Sequence, residues 1–170
     1  MENLVYKING KDLEVTYEEL IENNKSNMYA GVALAYKLLN LLISFNSDLS
    51  DINYFFSGIG ENGKGVIDTI NYVFNNNVTI DLNHDVLNNV VAPDAPNGGK
   101  YYFIFKGDKE IRIKLKESLI NEEFIKISRE VKKYKVLSDD LKIKLLNVRK
   151  NQEKAVLGLN VEEIFDWEIV

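Results

Sequence analysis

The stretch Met28 to Phe45, MYAGVALAYKLLNLLISF, holds eighteen residues of which Lys37 alone is clearly charged. Its length is near that of a membrane span. Lys37 and Asn40 fall in mid-segment, however, and no flanking set of Lys or Arg orients a span, so the stretch reads as a helix apolar on nearly all faces and buried at the centre of a domain. Gly31, Ala33 and Ala35 leave room for another backbone to pack close against it.

Outward from this helix, the N-terminal side reads as a hairpin over Asn3 to Glu14, with Leu4, Tyr6 and Ile8 alternating with polar neighbours and Asn9-Gly10 as the turn. A short polar helix or turn follows at Tyr17–Asn24, then a loop, Asn23 to Asn27, with candidate N-caps. On the C-terminal side Ile52 to Phe56 reads as a buried strand, Gly58 to Gly65 as a glycine loop, Val66 to Phe74 as a helix ended by Asn75-Asn76-Asn77, and Val78 to Leu82 as a short strand. Residues 83–99, broken by Pro93 and Pro96, read as a long exposed loop. Tyr101 to Lys106 and Glu110 to Lys116 form the clearest hairpin, joined by Gly107-Asp108-Lys109. Two charged amphipathic helices are expected at Asn121–Lys135 and Ser138–Ala155, with inward stripes of Phe124, Ile127, Val131 and of Leu141, Leu145, Val148; a strand-like tail, Val161–Val170, ends the order. No repeat or linker divides residues 1–170. The order of elements predicts a single α+β domain: a mostly antiparallel sheet packed against a buried central helix, with C-terminal helices.

A formal net charge of -5 argues against nucleic-acid partners, whose phosphates require clustered Lys and Arg. The chain has no Cys, which excludes disulfides, thiolate catalysis, iron–sulfur clusters and zinc held through thiolates. Met1 to Gly10 lacks the charged and apolar regions of a signal peptide, so a cytoplasmic protein without membrane partners is expected.

Gly58, Gly60 and Gly63 fit G-x-G-x-x-G between a strand and a helix, Lys64 adds a positive charge, and Asp81 ends the next strand where a ribose-binding acid would sit. A nucleotide or phosphate ligand at the helix N-terminus, some other anion, and a plain strand-to-helix turn all fit this pattern. His84 is the only histidine and lies between Asp81 and Asp85, a set that fits either a hard-ligand metal or acid–base site or a solvated loop. Asp68 sits in an otherwise apolar helix, either as a first-turn acid or as a polar group kept in a cleft. With one His and no nucleophile elbow, no Ser-His-Asp triad is expected.

Gly31-Val32-Ala33-Leu34-Ala35-Tyr36-Lys37 resembles the start of the central helix of the FmdE (formylmethanofuran dehydrogenase) family, where His-x-Cys-Pro-Gly leads into an apolar, small-residue helix. Gly65-Val66-Ile67-Asp68-Thr69-Ile70-Asn71 is similar to that family's Cys-Gly-Val-Asp-Ala-Ile-Gln segment, the Tyr101–Lys116 hairpin falls at its Gly-Lys-x-x-Tyr-x-Phe strands, and Glu162-Glu163-Ile164-Phe165 resembles its Glu-Glu-Leu-Phe. The resemblance covers about residues 25–170. It implies a cytoplasmic, dimeric α+β domain with a metal site between the central helix and the next one. The departures fall on the ligands: Asn27-Met28-Tyr29-Ala30-Gly31 replaces His-x-Cys-Pro-Gly, and Gly65 stands by the place of the second-helix Cys.

The combined expectation is a non-catalytic or accessory homodimeric protein with a degenerate metal site, no cofactor, and a small-ligand pocket lined by Asn27, Tyr29, Gly63, Lys64, Gly65, Asp68 and His84. The alternative is a nucleotide- or phosphate-binding protein using Gly58–Gly65. No catalytic or metal-ligating residue is assigned, and whether any reaction occurs is left open.

Overall fold

A computed structural model describes residues 1–170. In chain order the elements are β1 (Leu4–Ile8), β2 (Lys11–Val15), α1 (Tyr17–Asn23), α2 (Tyr29–Phe45), β3 (Tyr54–Ser57), α3 (Lys64–Val73), β4 (Thr79–Asp81), β5 (Tyr102–Lys106), β6 (Glu110–Leu115), α4 (Glu122–Val131), α5 (Asp139–Leu157), α6 (Val161–Ile164) and β7 (Phe165–Ile169). The fold is α+β. β1 and β2 form a separate two-stranded ribbon, and the main sheet runs β4-β3-β5-β6-β7.

All pairings in the main sheet are antiparallel except β3 with β4, which lie parallel across α3. The register places Phe55, Phe103, Phe105, Ile113, Leu115 and Phe165 on one face, and these join α2 in one apolar cluster. Phe56 and Ile104 are buried on the opposite face, outside that cluster.

Each boundary has a local cause. Asn9 and Gly10 take positive φ, 51° and 79°, which a two-residue hairpin turn requires. Thr16 and Glu19 form a reciprocal capping box on α1. Ahead of α2 the Asn24 side chain accepts from the Met28 amide at 2.7 Å. α3 ends where Asn75 and Asn76 turn left-handed. α2 packs against both α3 and α5, which explains why its residues from Val32 to Leu42 are nearly all buried. No helix is long and apolar enough to cross a membrane.

The structure differs from expectation in three places. The loop over 83–99 is not wholly exposed: His84–Leu87 form a 3-10 turn, Asp94 bridges to Lys100, and Ala92 and Ala95 are buried. The tail begins with a capped helical turn, α6, because Asn160 and Glu163 make a capping box, and only then becomes strand. The helix expected to reach Lys135 ends at Val131.

Tyr6, Tyr17 and Tyr101 are only 4, 7 and 5 % exposed, and burial raises all three phenols, Tyr6 to about 12. An unfolded phenol titrates near 10. The folded chain therefore holds protons that the unfolded chain releases above that pH, so this contribution to stability is complete below about pH 10 and falls as pH rises through 12. Each phenol adds a slope of about 1.4 kcal/mol per pH unit in that window. The urea midpoint is expected to be level from about pH 8 to 9.5 and to fall steeply above about pH 10. Tyr6→Phe should flatten the fall; a midpoint unchanged to about pH 11.5 would contradict this account.

Candidate functional site

A cavity of about 350 Å³ lies between the start of α2, the glycine loop and the α4–α5 pair. Sequence dictates its walls. Ala30, Gly31 and Leu34 recur at helical spacing on α2, while Phe124 and Val131 on α4 and Leu145 and Val156 on α5 come from the inward stripes of amphipathic helices. Ile59 and the Ala95–Gly98 turn close the remaining side. The volume lies at the lower end of the range for small-molecule sites and equals about a dozen water-sized groups.

Polar groups tie the walls together. Gln152, fully buried on α5, accepts from the Asn121 amide at 2.7 Å and donates to the Leu119 carbonyl at 3.0 Å, fixing the approach to α4. At the rim Lys132 donates to Asn62 Oδ1 at 2.8 Å, Asn97 Nδ2 donates to the Ser128 carbonyl at 3.2 Å, and Arg129 donates to the Pro96 carbonyl at 2.9 Å. Two lining groups are less completely engaged. Arg149 donates only through Nη1, to the carbonyls of Ser26 at 3.2 Å and Asn27 at 3.4 Å, and burial lowers its pKa from the ordinary arginine value. Tyr101 is 5 % exposed; burial holds its phenol protonated, and its hydroxyl does not share the hydrogen-bonded environment of Tyr6 or Tyr17.

Of the seven pocket residues expected from the sequence (Asn27, Tyr29, Gly63, Lys64, Gly65, Asp68 and His84), only Gly63 and Gly65 line this cavity. Lys64 and Asp68, one helical turn apart, share a shallow outer groove with Lys25, Glu61 and Leu82. The helical period is the reason, since Gly65 faces α2 while Lys64 and Asp68 face away. Asp68 accepts from Asn24 Nδ2 at 2.8 Å. Asn27 contributes its carbonyl to Arg149 and holds φ at 54°. Tyr29 lies under the Lys150 ammonium, 5.8 Å from the ring centre. His84 is exposed and covers Gly60, its Nε2 2.8 Å from where a Cβ there would be.

Asp81 turns to Tyr54, whose hydroxyl donates to it at 2.6 Å, and to the Asn83 amide at 2.9 Å; the Tyr54 bond holds the carboxyl below its usual range. No three side chains among His, Asp and Glu converge as a metal-ligating group.

The glycines of the loop all have packing partners. A Cβ on Gly58 would meet the carbonyls of Lys100 and Tyr102 at 2.5 and 2.7 Å, and one on Gly63 would meet Ile59 at 3.2 Å. β3, α3 and β4 make a single βαβ unit, after which the chain turns to antiparallel pairing.

Sequence reasoning missed Arg149, Tyr101, Lys132 and Ser128. A signal existed for Arg149 and Gln152, since each stands four residues after a member of the inward stripe, Leu145 and Val148, where an apolar residue belongs. Among known proteins, no family model matches this chain and no curated protein matches it.

Proposed function

We propose that this protein is a non-catalytic binding protein that holds a small, mostly apolar molecule in the cavity between α2, α4, α5 and the glycine loop. The observation that carries the reading is the cavity itself: two amphipathic helices turn their apolar stripes toward open space rather than closing fully on the core. No Asp, Glu or His lines it, so a bound molecule meets no carboxylate or imidazole base.

The proposal keeps the accessory role that the resemblance to the FmdE family implies, and with it a homodimer. Gly31 and Gly65, from two of the segments that carry the resemblance, are in backbone contact. The reading of a degenerate metal site is supported by Gly65, which offers no side chain, and by one oxygen of Asp68 already accepting from Asn24.

Saturation-transfer NMR with indole as a neutral probe tests the cavity. Wild type is expected to transfer saturation, and Ser128→Phe, which places a ring in the space from the α4 side, should abolish the transfer while the circular dichroism spectrum is kept. Equal transfer by both proteins would mean that indole binds elsewhere and would sink the proposal. Native mass spectrometry on the same sample reads the oligomeric state and any retained small molecule.

A further inference from the structure

From the groups that line the cavity we infer that its ligand is an apolar monocarboxylate, with the acid on Arg149 and Tyr101 and the hydrocarbon body among Leu34, Ile59, Phe124, Val131, Leu145 and Val156. The inference rests on the cavity reading above and adds the head group. Three observations carry it.

The cavity is lined by two cations, Lys132 and Arg149, and by no carboxylate. Lys132 is exposed and bonded to Asn62, which leaves Arg149 as the cation of the interior. Secondly, Arg149 is half-buried without an acidic partner, whereas Arg112 pairs with Glu110 and Glu168. Its bonds to Ser26 and Asn27 use Nη1 alone. The Nε–Nη2 edge stays free, and its two parallel N–H bonds match a carboxylate as a fork. Thirdly, Tyr101, which also lines the cavity, keeps a protonated hydroxyl, a donor suited to a carboxylate oxygen.

Charge balance selects a monoanion. One guanidinium compensates one carboxylate, and the second negative charge of a phosphate would have as its only further cation Lys132, whose ammonium is exposed and engaged by Asn62. The cavity's dozen or so water-sized groups match an acid of about eight to ten carbons.

Calorimetric titration with sodium octanoate, and separately with octan-1-ol, tests this. Octanoate is expected to bind at one site per chain and about 10- to 100-fold more tightly than octanol. Arg149→Gln, where it remains folded, should bring octanoate down to the affinity of octanol for the same variant, and Tyr101→Phe should weaken octanoate by a few fold. Equal affinity of wild type for acid and alcohol would overturn the head-group inference while leaving the cavity reading intact. If neither binds, the cavity reading falls and the inference falls with it. Arg149 also holds the turn before α2, so its substitution can unfold the chain; the comparison of acid with alcohol on wild type decides the inference without any variant.

Discussion

Gly65→Ala is expected to destabilise the protein by about 3 kcal/mol, where the same change on an exposed helix face adds about 1 kcal/mol of stability. Gly65 opens the first turn of α3 against the first turns of α2. A Cβ there would meet the Met28 carbonyl at 2.5 Å, the Val32 amide at 2.9 Å and the Gly31 carbonyl carbon at 3.0 Å. All three are backbone atoms, so no side chain can rotate away, and the helices must separate. The Met28 carbonyl already accepts from Val32 at 3.1 Å, so separation strains the first hydrogen bond of α2 as well.

Gly31→Ala is expected to cost less. Its nearest neighbour would be Gly65 Cα at 3.1 Å, a contact that a shift of a few tenths of an ångström relieves. Urea titration followed by circular dichroism checks both the sign and the ranking. A Gly65→Ala midpoint equal to or above wild type would show that α2 and α3 are not pressed together in this way.

The second large effect is Phe55→Ala, with an expected loss of about 3–5 kcal/mol, a large share of the stability of a domain of this size. Phe55 is fully buried on β3. Its ring is stacked on Phe103 with centroids 6.2 Å apart and lies 4.7 Å from Phe105. Truncation removes the ring and leaves a void between α2 and the sheet that rigid neighbours fill only in part. Phe55→Leu should cost considerably less. Because Phe55 and Phe103 share one stack, Phe55→Ala with Phe103→Ala should destabilise by less than the sum of the two single changes, by about 0.5–1.5 kcal/mol. Strict additivity in guanidinium titration would rule out the coupling. A loss below about 1 kcal/mol for Phe55→Ala would rule out the central place of this residue.

Much of the fold was legible in the residues because its signals are local. The Asn9-Gly10 hairpin, the buried run from Met28 to Phe45, the alternation of Ile111, Ile113 and Leu115, and the helix after the glycine loop each depend on a period or a turn residue within a few positions. The helical turn at Val161–Ile164 was hidden because its capping box stands before an apolar run too short to show a period. The site was less legible. G-x-G-x-x-G drew attention to the right loop, yet the features that matter there are Gly65 against α2 and Gly63 under Ile59, contacts with partners that the motif does not name. His84, Asp81 and Asp85 are close in the chain, but Asp81 turns to Tyr54 across the sheet.

By itself the sequence determined most of the elements, their order, the burial of the central helix and the exclusion of thiolate chemistry, since these follow from local periodicity, turn preferences and composition. Only the tertiary structure decided that β4 pairs parallel to β3, that Lys64 and Asp68 face outward while Gly65 faces α2, and that Arg149 and Tyr101, 48 positions apart in the chain, line one cavity. The physical reason is that a cavity belongs to the spacing between elements. That spacing is set by how closely α2 and α3 approach at Gly31 and Gly65 and by how Gln152 holds α5 to the start of α4, and neither contact is encoded in any one segment.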